Sequence, residues 1–343
     1  MAKKKIELQK FKKVLIIRLS SLGDVILTSP VIRALKNINP EIKIDFLVKP
    51  NFVDAIKYNS NLNKIFQYST KKDNSEKLIQ ILRENNYDLI LDLQNNKRSK
   101  RITSKLKRKK IVYKKHSLKR FLFVHFNFKK LNPLKSVPEK YVEAIAELKL
   151  DEKGAELFLP GNIKSAVKDD CKYVGFAPGS MHITKMWPID YYIELGNRLA
   201  EQGYRVLLFG GKDDIIVCKY LSIYIKNSIN LATNNQLLKM APTMKQCDFM
   251  VCNDAGLMHA ATALNVPVVV IFGSTVKEFG FAPYKAKHLI IENNELKCRP
   301  CSHIGKDSCP KRHFKCMKSL TPEIVIREIN KFLRDEINVE TTI

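Results

Sequence analysis

The sequence lacks three features that would assign it to common protein classes. No apolar run approaches the roughly 18 residues of a transmembrane helix. The basic start of the chain resembles a signal peptide, but its apolar run, residues 14–17, is interrupted by Arg18 and lacks a small-residue cleavage site. The dinucleotide fingerprint G-x-G-x-x-G does not follow the first predicted strand of either half, which argues against a nicotinamide-dependent dehydrogenase. We therefore expect a cytoplasmic protein, acting alone or against a membrane surface.

Acidic residues are also scarce, especially in the first half of the chain. The sequence has 60 Lys and Arg against 34 Asp and Glu, a net charge of +26, and residues 1–150 alone carry a net +22. Residues 97–135, here called the basic segment, contain 16 Lys or Arg, no acid, and the phenylalanines Phe121, Phe123, Phe126 and Phe128. This composition suits phosphorylated lipid head groups, and it also suits nucleic acid or a merely solvated lysine-rich face.

Apolar runs alternate with segments of helical period along the whole chain. This pattern is typical of βαβ units and predicts an α/β fold with two Rossmann-like, doubly wound domains. A polar stretch with Gly and Pro at residues 151–170 divides the pattern, so we expect domains at 1–160 and 161–343. A final helix, predicted at residues 321–337, could pack back on the first domain. Ligands of such folds bind at the carboxyl ends of the strands.

The segment RLSSLGDVILTSP gives the first candidate site. The strand predicted at residues 13–20 is followed by a short turn that brings Asp24 to the mouth of the sheet. An aspartate there can act as a general base on an acceptor hydroxyl, while Ser20, Ser21 and Gly23 line the loop. From this segment alone, a simple helix cap is the favoured role for Asp24.

The loop PGSMHITKMWP, residues 178–188, follows the first strand of the second half. It offers Ser180, Thr184 and Lys185, and the ammonium group of Lys185 can neutralise a diphosphate leaving group without a metal. An ordinary exposed lysine is the alternative. We expect Trp187 to pack the loop onto the helix that follows.

The segment NDAGLMHAATALNVPVVVIFGST, residues 253–275, is the most specific. Asp254 and Ala255 lie at a strand-to-helix turn, Gly256 allows close approach to the helix amino end, and His259 lies on the same helical face. These residues predict a diphosphate site. A weaker signal, the turn with Gly210, Gly211, Asp213 and Asp214, could bind the ribose of a nucleotide.

Four cysteines near the end of the chain have a spacing close to that of a zinc knuckle. A structural zinc site and a set of reduced, packed cysteines both fit this pattern. Two histidines, His303 and His313, lie among the four cysteines, which are Cys298, Cys301, Cys309 and Cys316.

Taken together, the three motifs resemble glycosyltransferase family 9, and within it the heptosyltransferases of lipopolysaccharide, especially the type that adds the second heptose. The resemblance implies a GT-B fold and an inverting, metal-independent transfer from ADP-heptose to the phosphorylated lipid A-core acceptor at the inner face of the cytoplasmic membrane. No cofactor is then required. Ala255 stands where the family commonly has Ser or Thr, and VKEFGFAPYK after Thr275 departs from the family pattern.

The resemblance also implies roles for single residues. Asp24 would be the catalytic base, and Lys185 would stabilise the departing diphosphate. By the same motifs, Asp254, Ala255, Gly256 and His259 would form the donor site. The loop and turn residues described above add Ser180, Thr184, Lys185 and Asp214 to the expected donor-binding residues. The loop around Asp24 and the charge of the basic segment, rather than the resemblance, give the expected acceptor-binding residues Ser21, Gly23, Lys107 and Arg108.

Two alternatives remain open at this point. One is a family 9 transferase of another nucleotide sugar in surface-glycan assembly. The more remote one is a nucleic-acid-binding protein, which would leave the second half of the chain without a role.

Overall fold

A computed structural model describes residues 7–69, 71–126, 135–145, 147–167, 171–334 and 339–342. The chain divides into two compact units. The first comprises Met1–Lys115 and Ser136–Phe158, and the second comprises His116–Lys135 and Leu159–Ile343.

The first unit is built on a parallel sheet of five strands in the order β3-β2-β1-β4-β5. Its central strands are runs of Val, Ile and Leu that are buried on both faces, as expected when helices cover a parallel sheet. The strands are β1 (Lys13–Ile17), β2 (Lys43–Val48), β3 (Lys64–Gln67), β4 (Leu89–Asp92) and β5 (Lys110–Val112).

The helices of the first half differ from the predicted ones in two places. The helix predicted over residues 25–38 is divided after Ile26, and Pro30 lies in the first turn of the second part. The basic segment, predicted to be a loop, contains two helices. In chain order the helices are α1 (Leu22–Ile26), α2 (Ser29–Ile38), α3 (Lys72–Glu84), α4 (Lys97–Leu106), α5 (Ser117–Phe126), which belongs to the second unit, and α6 (Val137–Val142).

The second unit is built on a parallel sheet of seven strands in the order β12-β11-β10-β9-β6-β7-β8. Its core is formed by the apolar faces of the strands and of the helices around them. The strands are β6 (Lys172–Ala177), β7 (Tyr204–Leu208), β8 (Ile229–Asn230), β9 (Phe249–Asn253), β10 (Val268–Phe272), β11 (His288–Glu292) and β12 (Val339–Thr342).

The helices of the second unit alternate with these strands. Trp187 is 1% exposed, and its ring lies 5.5 and 5.0 Å from the rings of Tyr191 and Tyr192 in the helix that follows, which confirms its predicted packing role. The helices are α7 (Ile189–Glu201), α8 (Ile215–Tyr224), α9 (Leu237–Met244), α10 (Gly256–Ala263), α11 (Lys315–Lys318) and α12 (Pro322–Arg334).

The expected fold class, two parallel α/β units of Rossmann type, is confirmed. The second unit resumes at Leu159, close to the predicted boundary, but it also includes residues 116–135. The C-terminal helix α12 packs on α7 and β11 within the second unit, and residues 335–337 of its predicted range lie outside the described residues. Within the described ranges, no helix is both long and apolar enough to span a bilayer.

Candidate functional site

The predicted site residues are collected where parallel strands end. In the first unit, β1 leads through a short loop to Asp24. In the second unit, the carboxyl ends of β6, β9 and β10 lead to Lys185, Asp254 and Thr275. The carboxyl edge of a parallel sheet is the usual ligand-binding edge, so each unit presents a candidate binding edge of its own.

Asp24 lies in the first turn of α1, and both of its carboxylate oxygens are engaged. Oδ2 accepts hydrogen bonds from the backbone N–H of Ser21 (3.3 Å) and from its hydroxyl (2.8 Å), which forms a capping box. Oδ1 lies 2.7 Å from Nη2 of Arg18. The side chain of Asp24 remains 15% exposed, so the carboxylate caps the helix and is also accessible.

The surroundings of Asp24 keep its carboxyl group ionised. Burial raises its pKa, but the guanidinium of Arg18 and the hydrogen bonds from Ser21 outweigh burial, and the pKa lies below its ordinary value. Burial also lowers the pKa of Arg18, but Asp24 and Tyr141 outweigh this, and that pKa is raised. The two groups therefore form a stable ion pair at neutral pH.

Gln94 and Tyr141 hold this pair in place, and sequence reasoning missed both of them as well as Arg18. Nη1 of Arg18 donates to the carbonyl of Leu93 at 2.5 Å, and its guanidinium lies 5.6 Å from the ring centre of Tyr141. The hydroxyl of Tyr141 donates to the carbonyl of Asp24 at 3.3 Å. Two backbone N–H groups of the loop after β1 donate to Oε1 of Gln94 at 2.8 and 3.1 Å. A charged residue directly after a buried strand was the available signal for Arg18.

The structure separates the predicted acceptor residues into two groups. Ser21 and Gly23 adjoin Asp24 in the turn that begins α1, with Gly23 buried. Arg108 instead donates to Oδ1 of Asn86 at 2.6 Å, ahead of the amino end of β4. Lys107 and Arg108 therefore lie at the amino edge of the sheet, because α4 runs back along it, and they are not brought to Asp24.

Lys185, Asp254 and Thr275 form a connected group in the second unit. Nζ of Lys185 lies 2.8 Å from Oδ2 of Asp254, which also accepts a hydrogen bond from the hydroxyl of Thr275 at 2.7 Å. The side chains of Lys185 and Asp254 are 14% and 9% exposed. Such a pair fixes the direction of the ammonium group, because removal of either charge leaves the other buried without its partner.

The loop that carries Lys185 is closed by hydrogen bonds of Thr184. Its hydroxyl donates to Ser274 at 2.9 Å and accepts from the backbone N–H of Lys306 at 2.8 Å. Thr184 is 2% exposed, so its side chain maintains the loop. Ser180 is half-buried near the start of the same loop.

The amino end of α10 is the predicted diphosphate site. Ala255 is the N-cap residue, with extended backbone and no side-chain cap hydrogen bond, and the helix begins at Gly256. The first N–H groups of a helix have no intrahelical acceptor and carry partial positive charge, which favours an anion. His259, expected on the ligand face, is 3% exposed within α10, and its role in binding stays a prediction.

The turn after β7 approaches the loop after β6. Oδ2 of Asp214 accepts a hydrogen bond from the backbone N–H of Gly211 at 2.9 Å. Burial raises the pKa of Asp214, with the N–H of Gly211 opposing and the charge of Asp213 adding to the effect. A β-carbon on Gly179 would lie 1.8 Å from Oδ1 of Asp214, so a larger residue where the two loops meet would have to displace this carboxylate.

The structure does not support the predicted zinc site. In the described part of the chain, no three or more His, Cys, Asp or Glu side chains are arranged to bind a metal ion. Cys316 packs in the core of the second unit, where burial raises the pKa of its thiol to about 12. Cys298, Cys301 and Cys309 are half-buried free cysteines, and Sγ of Cys298 lies 3.9 Å from Nε2 of His313.

Comparison with known proteins identifies a protein family that the chain matches. A family model described as glycosyltransferase family 9 (heptosyltransferase) matches residues 75–311. Lipooligosaccharide heptosyltransferase 2 of Campylobacter jejuni is 33% identical over 174 residues, which is 48% of this chain and 52% of the relative. Lipopolysaccharide heptosyltransferase 1 of Campylobacter coli is 25% identical over 355 residues, covering 94% of this chain and 100% of the relative.

A solved structure shares the fold. The structure of Escherichia coli ADP-heptose lipopolysaccharide heptosyltransferase II has a TM-score of 0.70 and 22% identity, with 94% of this chain and 98% of that chain covered. At this identity the likeness is one of fold alone. The chain spans about half the length of the type 2 curated relatives that it matches.

Proposed function

This chain belongs to glycosyltransferase family 9, and from this premise we propose that it transfers a heptose from ADP-heptose to the phosphorylated inner core of lipopolysaccharide. The observation that carries the proposal is the ion pair of Lys185 and Asp254 beside the amino end of α10. The matches of higher identity with type 2 heptosyltransferases favour addition of the second heptose. This choice is tested by comparing transfer to an acceptor that carries the first heptose with transfer to an acceptor that lacks it.

On the acceptor side, Asp24 removes the proton of the attacking hydroxyl while its oxygen forms a bond to the anomeric carbon and the bond to the diphosphate breaks. Attack from the side opposite the diphosphate inverts the configuration at that carbon. Because the pKa of Asp24 is lowered, the carboxylate is present in the basic form at neutral pH. Its hydrogen bonds to Arg18 and Ser21 orient it for the substrate.

On the donor side, Lys185 and α10 stabilise the departing diphosphate. An ammonium group has three N–H donors, and the bond to Asp254 uses one of them. In the proposal the other two bind phosphate oxygens, and the N–H groups at Gly256 add the helix dipole. This cationic cradle replaces a divalent ion, so the proposed transfer needs no metal.

The proposal assigns the acceptor phosphates to Lys97 and Arg98. Both side chains are exposed in the first turn of α4, directly after β4, the neighbour of β1 in the sheet. They therefore lie on the same edge as Asp24. The rest of the described basic segment, including the exposed Leu118 and Phe121 of α5, contributes to association with the inner face of the cytoplasmic membrane; Phe128 lies outside the described residues.

Two paired variants test the acceptor assignment. The double variants Lys97→Ala/Arg98→Ala and Lys107→Ala/Arg108→Ala remove equal charge from the same segment. The first should raise the KM for the acceptor about thirtyfold, since two exposed charges at about 1 kcal/mol each contribute about 2 kcal/mol together. The second should change it little. If Lys107→Ala/Arg108→Ala raised this KM more than Lys97→Ala/Arg98→Ala, the acceptor phosphates would be assigned to Lys107 and Arg108.

The transfer itself is tested with Asp24→Asn, using Glu41→Gln as an exposed control. ADP release and product formation should fall by about a thousandfold or more in Asp24→Asn, because a general base and its charge are both lost. Calorimetry should give the same Kd for ADP in wild type, Asp24→Asn and Glu41→Gln. A rate of Asp24→Asn within threefold of wild type would mean that Asp24 serves only as a helix cap.

Two measurements address the alternatives. A panel of nucleotide sugars should raise the Tm most for ADP-heptose, and a larger shift with another sugar would identify a different family 9 transferase. Binding of RNA or DNA that weakens steeply with salt but reaches nanomolar affinity would support the nucleic-acid alternative.

A further inference from the structure

The helix α8 has a second apolar face that the second unit does not cover. On one side, Cys218 and Leu221 are completely buried in the core. On the other side, Ile216 is 82% exposed, Ile223 68% and Tyr224 51%. A surface helix of a globular domain ordinarily carries polar side chains on this side, so these residues indicate a contact surface.

The stretch of chain that begins with this helix carries charge of one sign. From Ile215 to Cys247 the sequence has four lysines and no Asp or Glu. Lys219, which is exposed, lies between Ile216 and Ile223 at helical spacings of three and four, so it lies on the same face. Three acids also lie close to the helix: Asp213 and Asp214 directly precede it, and Asp190 lies near Tyr220.

We propose that this face of α8 contacts an anionic lipid bilayer. The isoleucines enter the boundary between head groups and acyl chains, and the two tyrosines, Tyr220 and Tyr224, place their rings there with their hydroxyls toward water. Lys219 extends to lipid phosphates, as lysines do at membrane interfaces. The face thus combines the apolar, aromatic and cationic groups that an anionic bilayer binds.

Charge distinguishes a bilayer from a second copy of the chain. In a symmetric dimer through α8, the same patch faces itself, so Lys219 of each copy would approach its counterpart. Two like charges brought together in this way repel each other and disfavour such a contact. Anionic lipids neutralise the same charges. The proposal is independent of the transferase activity, because vesicle binding is measured without donor or acceptor.

The test is flotation with vesicles of phosphatidylglycerol and phosphatidylethanolamine. The variant Ile216→Ser/Ile223→Ser should weaken binding about tenfold, since it removes two apolar side chains from the lipid. Its matched control is Ile81→Ser/Ile304→Ser, which changes two isoleucines that are 45% and 53% exposed elsewhere and should leave binding unchanged. Measurement at about 0.5 M salt, where the Debye length is only about 4 Å, suppresses the contribution of the basic segment.

A second variant reports insertion directly. Trp187, the single tryptophan, is 1% exposed, so the indole introduced by Ile223→Trp dominates the response to lipid. Its fluorescence should shift to the blue and be quenched by brominated acyl chains. The proposal would be overturned if Ile216→Ser/Ile223→Ser bound vesicles as well as wild type, or if the indole fluorescence of Ile223→Trp were not quenched. A wild-type dimer that Ile216→Ser/Ile223→Ser dissociates would also overturn it, in favour of contact with a second copy of the chain.

Discussion

Replacement of Arg18 by methionine separates the charge of the guanidinium from its packing. In the wild-type protein, Arg18 and Ser21 lower the pKa of Asp24 against the opposing effect of burial. Arg18→Met retains burial and removes the charge, so the pKa of Asp24 should rise above its ordinary value, about 4. The acid limb of the kcat/KM profile should then move from below about pH 4 into the measurable range.

The same change has a calculable effect on stability. The side chains of Arg18 and Asp24 are only 9% and 15% exposed, and loss of one partner of a buried pair costs about 3 to 5 kcal/mol. At roughly 2 to 4 °C per kcal/mol for a unit of this size, the Tm at neutral pH should fall by roughly 10 °C.

The pH dependence of that loss has a definite sign. A carboxyl group with a lowered pKa stabilises the folded state above its unfolded pKa, and this contribution disappears as the pH falls through the folded pKa. In Arg18→Met the pKa of Asp24 is raised, so acid stabilises the variant. The difference in Tm between wild type and variant should therefore narrow on acidification.

Arg18→Lys is the matched control, because it keeps a positive charge at the end of β1. In Arg18→Lys, the acid limb of the kcat/KM profile should lie close to its wild-type pH. Asp24→Asn gives the residual rate in the absence of the base. Activity is measured as ADP release from pH 4 to 9, on protein shown by circular dichroism to be folded. An acid limb at the same pH in wild type and in folded Arg18→Met would refute the electrostatic coupling.

Two further predictions concern the donor half of the site. Asp254→Asn should raise the Kd for ADP about tenfold, since a charged partner contributes about 1.5 to 3 kcal/mol to the orientation of Lys185; an unchanged Kd in calorimetry would show that the ion pair is only structural. Transfer should survive excess EDTA, because Lys185 and the amino end of α10 take the place of a divalent ion. Restoration of activity by magnesium or manganese alone would contradict that role, provided that the Tm is unchanged by the chelator.

The sequence predicted the parts of the fold that depend on buried apolar runs. The central strands are such runs, and a short loop joins β1 to the helix that carries Asp24, so the place of Asp24 at the sheet edge could be inferred without the structure. The pair of Lys185 and Asp254 could be expected to lie on one sheet edge. Its contact at 2.8 Å could not be predicted, because it depends on how two loops that are distant in sequence settle against each other.

The basic segment shows where the sequence reasoning failed. Its charge suggested a loop, yet Ser99, Ile102, Thr103 and Leu106 are buried at spacings of three and four, which is the signal of an amphipathic helix. Once α4 is a helix that follows β4, its two ends must lie on opposite edges of the sheet. The assignment of Lys107 and Arg108 to the acceptor depended on charge alone and therefore missed this polarity.

The contact between Gly179 and Asp214 tests whether the turn after β7 binds the nucleotide. A β-carbon at Gly179 would lie 1.8 Å from Oδ1 of Asp214, so Gly179→Ala must displace the carboxylate or the loop. If Asp214 binds the ribose, the Kd for ADP should rise roughly tenfold or more, as expected for loss of a hydrogen bond to a charged group.

Gly161→Ala is the control for this variant, because a β-carbon there meets nothing within 4 Å. Its Kd for ADP should equal that of wild type. The maximal rate of Gly179→Ala at saturating donor should stay near wild type, since Asp24 and Lys185 are untouched. The same Kd in both variants, with Gly179→Ala folded, would mean that Asp214 only caps its own turn, and the ribose would then have to be bound by other residues at the carboxyl edge of the second sheet.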